Sequence, residues 1–173
     1  MAITYELIEA KTLSSATASV QFTSIPQTYT DLLLKVSARA NVSGGYTNVM
    51  IGINGSTSNI TWLGFYGYNG SLKGSNTNSV SRVIGNANAN SSTSSLFSNN
   101  ELYIPNYTST TAKSFTSDSV VASNDSTNGI LSLDAGLWNP ETQAAITSLT
   151  LTNSAPGDFV SGSTFYLYGI KNS

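Results

Sequence analysis

The chain has 173 residues, 39% of them apolar, seven basic and nine acidic side chains, and neither histidine nor cysteine. That length fits one domain spanning 1–173 with enough apolar mass for a core without metals or disulfides, and the absence of imidazole and thiol excludes His- and Cys-based triads, dyads and zinc sites. A net charge of −2 offers no cationic field for phosphates, and no run approaches the ~18 consecutive apolar residues of a membrane helix, so neither nucleic acid nor membrane is expected as a partner.

Only 9% of the residues are charged, against about 25% in an average soluble protein, while Ser, Thr and Asn together make up well over a third. The expected surface is therefore hydroxyl and amide rather than ionic. Disorder is not the reading, because disordered chains combine high net charge with few aromatic and β-branched residues. At the N-terminus Glu6 and Glu9 interrupt what would have to be an apolar signal segment, so cytoplasmic synthesis without export is expected.

In chain order, an opening strand is expected at 3–9. Ala16, Ala18, Val20 and Phe22 then alternate with Thr17, Ser19, Gln21 and Thr23 before Pro26 breaks the ladder. The clearest strand is 30–40, where Leu32, Leu34, Val36, Ala38 and Ala40 share one face and Lys35, Ser37 and Arg39 the other. Val49, Ile51 and Ile53 form another alternating set that ends at Asn54-Gly55, a pair suited to turns with positive φ. A further strand begins at Ile60. Weaker strands are expected near 79–85, 101–107, 112–123 and 128–137, and stronger ones at 144–153 and 163–171. Residues 69–79 and 86–100 read as polar loops, functional or mobile at this length. The one helix signal is Asn139-Pro140-Glu141-Thr142-Gln143-Ala144-Ala145, an Asn cap with Pro in the first helical position, enough for a turn or two.

About ten strands at regular spacing with at most one short helix predict an all-β fold, a two-sheet antiparallel β-sandwich that is jelly-roll-like. An immunoglobulin-type Greek key is the alternative. Neither a domain boundary nor a fixed-period repeat is visible.

Without His or Cys, only carboxylate chemistry remains, on Glu101, Asp118, Asp125, Asp134, Glu141 and Asp158. A glycosidase or lyase would need two of them facing each other about 5–10 Å apart. Asp125 and Asp158 lie in turn sequences and read as strand terminators. Residues 124–129 share alternate side-chain oxygens before a glycine with a calcium loop but lack the closing bidentate glutamate, and no cofactor or metal is expected. The most unusual segment is Trp62-Leu63-Gly64-Phe65-Tyr66-Gly67-Tyr68. Strand alternation puts Trp62, Tyr66 and Tyr68 on one face with room at Gly64, a surface that suits stacking of a sugar ring, a buried sheet face or a subunit contact. Tyr166 and Tyr168, opposite Phe165 and Leu167, pose the same choice.

Two segments add a resemblance. Ser24-Ile25-Pro26-Gln27-Thr28-Tyr29-Thr30-Asp31-Leu32-Leu33-Leu34-Lys35-Val36-Ser37-Ala38-Arg39 and Phe165-Tyr166-Leu167-Tyr168-Gly169-Ile170-Lys171 form a pairing that resembles tailed-phage virion proteins frequent in cyanophages and other aquatic phages. The resemblance implies a jelly-roll protein of the phage exterior: a capsid decoration or cement protein, a homotrimer on the outer head surface bound to the major capsid protein. It implies no catalytic residues, and residues from about 55 to 130 depart from it. Three readings follow: a decoration protein, a receptor- or glycan-binding domain of a tail fibre whose partner is a host surface glycan, and a carboxylate-only glycosidase or lyase.

Overall fold

The computed structural model describes residues 4–68, 71–77, 83–123 and 129–171. Among them twelve strands form: β1 (Thr4–Thr12), β2 (Ser19–Phe22), β3 (Asp31–Ser37), β4 (Tyr46–Ile53), β5 (Ile60–Tyr68), β6 (Ser71–Thr77), β7 (Val83–Asn88), β8 (Asn99–Ile104), β9 (Lys113–Val121), β10 (Ile130–Trp138), β11 (Leu149–Asn153) and β12 (Thr164–Lys171). They build an eight-stranded sheet in the order β1-β12-β3-β8-β9-β10-β5-β6 and a four-stranded sheet in the order β2-β11-β4-β7. All pairings between these strands are antiparallel, and the fold is an all-β, two-sheet β-sandwich.

Of the strand expected at 30–40, Asp31–Ser37 form β3, and its alternating face up to Ala38 becomes the centre of the main core, with Ala40 in a small second cluster beside Val42 and Ala89. Leu32, Leu34, Val36, Ala38 and Ala40 are buried, and Lys35 on the other face is exposed. Opposite them, Val49, Ile51 and Ile53 of β4 and Leu149 and Leu151 of β11 fill the space between the sheets with Phe22, Phe159 and Phe165. Phe159 and Phe165 meet edge to face, with centroids 5.2 Å apart, the arrangement their ring quadrupoles favour. The two segments that carry the virion-protein resemblance are hydrogen-bonded neighbours, with β3 paired to β12 from Ser37↔Thr164 to Asp31↔Ile170.

Two expectations fail for a stated reason. Residues 69–79 were expected to be a loop, yet Ser71–Thr77 form β6, a strand paired with β5. That segment has no alternating pattern of its own. The edge of β5 supplies it with partners for backbone groups that would otherwise stay unpaired. Residues 139–145 were expected to begin a short helix, but no helix occurs among the described residues. Asn54, held at φ 51°, donates through Nδ2 to the carbonyl of Ala145 (2.8 Å) and accepts from the amides of Thr147 (2.8 Å) and Ser148 (3.2 Å). These bonds keep 145–148 extended while Ile146 is buried in the core. Tertiary bonds thus override a local capping signal worth at most about a kcal/mol or two.

Smaller shifts follow the same logic. The strand expected at 79–85 forms as β7 at Val83–Asn88, with 79–82 outside the described residues, and the strand expected from 144 begins at Leu149. The polar stretch expected to be a loop at 86–100 gives its first residues to β7 and its last two, Asn99 and Asn100, to β8, and the part between is tied down by Arg39. Its guanidinium donates to Ser92 Oγ (2.9 Å) and to the carbonyls of Ser92, Thr93 and Leu96 (3.2, 2.9 and 3.2 Å).

Candidate functional site

Strand β5 carries aromatic side chains to both faces of the large sheet, and β10 lies beside it in continuous register from Ile60↔Trp138 to Tyr68↔Ile130. Trp62, Tyr66 and Tyr68 point to the inner face, on the same side as fully buried Ile60, yet all three remain half-buried. The cause lies in the sheet order. The four-stranded sheet ends at β7, which packs on β8, β9 and β10, whereas the large sheet continues past β10 to β5 and β6. Those two strands form an overhang.

Gly64 decides how Trp62 lies on that overhang. A Cβ at Gly64 would sit 2.4 Å from Trp62 Cζ2 and 2.1 Å from Asp134 Oδ1. The space expected at Gly64 is therefore taken by the indole of Trp62 itself, which crosses the glycine and donates from Nε1 to Asp134 Oδ1 (3.0 Å). Further along the strand, Tyr68 meets Tyr46 of β4 with centroids 6.4 Å apart. Burial and the neighbouring Tyr66 and Tyr68 hydroxyls push the Tyr46 phenol up from its ordinary pKa. Lys73 on β6, exposed, stands opposite Tyr66 in the register.

Asp134 belongs to a polar seam between the sheets. Its Oδ2 accepts from Ser132 Oγ (3.0 Å), which in turn accepts from Asn86 Nδ2 (3.4 Å). The Asn86 amide donates to Asn100 Oδ1 and Ser119 Oγ (both 2.9 Å), and Asn100 Nδ2 donates to Ser98 Oγ (2.9 Å). Burial pushes the Asp134 carboxyl up to about 6, with the bonds from Ser132 and Trp62 opposing that rise. The Ser117 hydroxyl, opposite Asp134 on β9, is buried without a hydrogen-bond partner among the described residues.

No protein-family model, curated protein or solved structure matches this chain. The reading of the site therefore rests on its own chemistry.

The side chains of the other carboxylates lie apart from that of Asp134. Glu101 and Asp118 stand opposite each other across β8 and β9 on the outer face, where they line an open depression of about 320 Å³ with Tyr103, Thr116, Ser117, Leu133 and Asp134. Glu101 is ion-paired to Lys35 at 2.7 Å. Beside them, burial and the bond to Asp31 (2.8 Å) push the Tyr103 phenol up to about 12. Since Asp134 faces inward on β10, the thickness of the sheet separates its side chain from theirs. Asp158 lies in the irregular segment before Phe159, where its amide donates to Asn41 Oδ1 (2.6 Å), and Glu141 is exposed in a bend. Asp125 and the calcium-like stretch 124–128 lie outside the described residues, and no cluster of three acidic residues that could hold a metal occurs among the described ones. Tyr166 and Tyr168 lie half-buried on the outer face, opposite buried Phe165 and Leu167.

The feature that strand patterns alone do not locate is the outer face of β9, β10, β5 and β6. On β10, Leu131, Leu133 and Leu137 point to solvent while Ser132 and Asp134 point inward. Ile130 and Trp138 at the two ends of β10 are buried on the inner face, but between them the strand reverses the usual rule that a half-exposed strand turns its apolar set to the core. Leu63 and Phe65 of β5, Leu72 of β6 and Val120 of β9 extend the same surface, and these seven side chains are between 39% and 79% exposed. The alternation Leu131-Ser132-Leu133-Asp134 was readable in the sequence as a strand. Which of its two sides faces outward was not.

Proposed function

We propose that the protein is a structural component of a tailed-phage particle, a decoration protein of the outer head surface that associates as a homotrimer and binds the major capsid protein. Its work in this reading is adhesion to protein rather than turnover. The observation that carries the proposal is the reversed strand β10 and the apolar surface around it.

The seven side chains expose on the order of 700 Å², above the few hundred Å² of contiguous apolar surface usual on a soluble monomer and close to the ~800 Å² that each partner buries in a standard interface. Leu133 opposes Phe65, and Leu131 opposes both Val120 and Gly67, whose other neighbour is Leu72. The patch is therefore continuous across four strands. A sheet that exposes leucines and buries an aspartate spends stability twice, which makes sense where another protein covers the leucines. Sparse charge supports the same reading, because like charges facing each other around a symmetry axis repel.

Two further points support the virion assignment. The resemblance segments form one contiguous part of the large sheet rather than scattered matches. The chain also passes between the sheets repeatedly, from β1 to β2, β2 to β3, β3 to β4, β4 to β5, β6 to β7, β7 to β8, β10 to β11 and β11 to β12, winding that suits a jelly roll. Glu101 and Asp118 do face each other across β8 and β9, but in an open depression with Glu101 ion-paired to Lys35 rather than in a deep cleft, so the glycosidase reading is the weaker one.

Sedimentation equilibrium of the purified chain and electron microscopy of particles that carry it test the proposal together. The expected results are a trimer in solution, conversion to monomer by Leu133→Asp with an unchanged β-rich circular dichroism spectrum, and density for the domain on the head. A wild-type monomer, or density confined to the tail tip, overturns it.

A further inference from the structure

The inner face of the β5 overhang has no part in that proposal, and its construction points to a small-molecule ligand. Four aromatic rings from both sheets line it: Trp62, Tyr66 and Tyr68 along one strand and Tyr46 at the far end. In an ordinary core such rings would be fully covered, as Phe22, Phe159 and Phe165 are here. These keep part of their surface open because the four-stranded sheet stops at β7.

The indole of Trp62 is built as a fixed plate. Its underside rests on the Cα of Gly64, where any Cβ would collide with it, and its Nε1 is anchored to Asp134, itself held by Ser132. Trp62 is only half-buried, so part of the indole surface stays open. Conformational freedom has been removed before any ligand arrives, the condition under which stacking contributes most to affinity. Tyr66 and Tyr68 continue the row at alternate positions, about 6–7 Å apart along the strand. Their hydroxyls, that of Tyr46 and the Lys73 ammonium are polar groups at the rim, able to meet hydroxyl groups on a bound molecule.

A fixed indole followed by two phenol rings along one strand, with hydroxyl groups at their edges, matches one ligand chemistry closely. A pyranose has an apolar C–H face that stacks on an aromatic plate and an equatorial rim of hydroxyls, and successive sugars repeat on a length scale of several ångströms. We propose that Trp62, Tyr66 and Tyr68, with Tyr46 and Lys73 at the rim, form an oligosaccharide-binding platform. Trp62 provides the principal stacking surface, and Gly64 and Asp134 are positioning residues that hold it flat. This site lies on the opposite face of β5 from Leu63 and Phe65, so one strand serves two surfaces, and the saccharide site does not depend on the proposed docking face.

An array of oligosaccharides containing neutral hexoses, N-acetylhexosamines and uronates, followed by titration of positive ligands with tryptophan fluorescence as readout, tests the platform on the full chain. Trp138 is buried, so a ligand-induced change reports on Trp62. The expected result is saccharide binding that weakens about tenfold or more, ~1.4 kcal/mol or more of binding free energy, in Trp62→Ala. Gly64→Ala, which lifts the indole from its seat while leaving it present, should weaken binding in the same direction. Phe65→Ser, on the other face of the same strand, should leave saccharide binding unchanged while disrupting self-association. An array without any positive on folded protein overturns the proposal, and so does full binding by a folded Trp62→Ala variant. Neither result bears on trimer formation or head binding, which fail or stand by the experiments on Leu133.

Discussion

Replacing Asp134 by Asn isolates the energetic consequence of turning a carboxyl into the sandwich. In the folded chain Asp134 keeps its proton up to about 6, against a reference value of 3.8 for the unfolded chain. Between those two values the folded state binds more protons than the unfolded one, so the stability contributed by this group is fully present below 3.8 and is lost as pH rises through about 6. At 1.36 kcal/mol per pH unit the loss amounts to about 3 kcal/mol. Asparagine can still accept the bond from Trp62 Nε1 but carries no charge to desolvate. Urea unfolding of wild type and Asp134→Asn across this range should show the variant gaining about 3 kcal/mol on the wild type as the pH rises from below 3.8 to above 6. Subtracting the two profiles removes the opposite contribution of Glu6. The Tyr29 and Lys171 hydrogen bonds hold the Glu6 carboxyl below its ordinary range, so its stabilisation is present above the unfolded value and is lost as pH falls. A stability gap that stays constant with pH, or widens toward acid, would refute the view that Asp134 is a desolvated carboxyl.

Three other expectations follow from particular contacts. Phe165→Ala leaves a cavity against Phe159 in the centre of the core and should cost about 3–5 kcal/mol, read as a lower urea midpoint with little change in slope. Asn54→Ala removes the bonds that hold 145–148 extended and should cost about 2 kcal/mol, with hydrogen exchange accelerating at the Thr147 and Ser148 amides before those of β11. Gly85→Ala places a Cβ 2.3 Å from Asn100 Oδ1 at a φ of 137°. Both the strained backbone and the displaced acceptor of the Asn86 amide should then lower the thermal midpoint more than Gly55→Ala does, where the added Cβ meets nothing within 4 Å.

Particular residues show how far the sequence could be read. Leu32, Leu34 and Val36 alternate with Leu33, Lys35 and Ser37, and nothing in the fold contradicts the face they announce. Burial of Leu33 on the outer face could not be seen from its own strand, because it depends on Tyr103 and Tyr168, which stand on either side of it in the sheet. Trp62, Tyr66 and Tyr68 were correctly placed on one face. Gly64 was read as vacant room, whereas the indole two residues earlier fills it. That outcome follows from the bond to Asp134, which lies 72 positions away in the chain.

The sequence by itself determined the local periodicities, and through them the all-β class, most strand positions and the residues of the main core, since a period of two is a property of neighbours along the chain. Tertiary structure alone decided which side of β10 faces solvent, that Ser71–Thr77 becomes a strand, that 145–148 stays extended, and that the four-stranded sheet ends short of β5. Each of those outcomes depends on partners distant in sequence: the edge of β5 for β6, Asn54 for 145–148, and the polar seam that can take in Ser132 and Asp134. A strand pattern states that two faces differ, but the inward face is selected only by the pairing that satisfies buried polar groups across the sandwich.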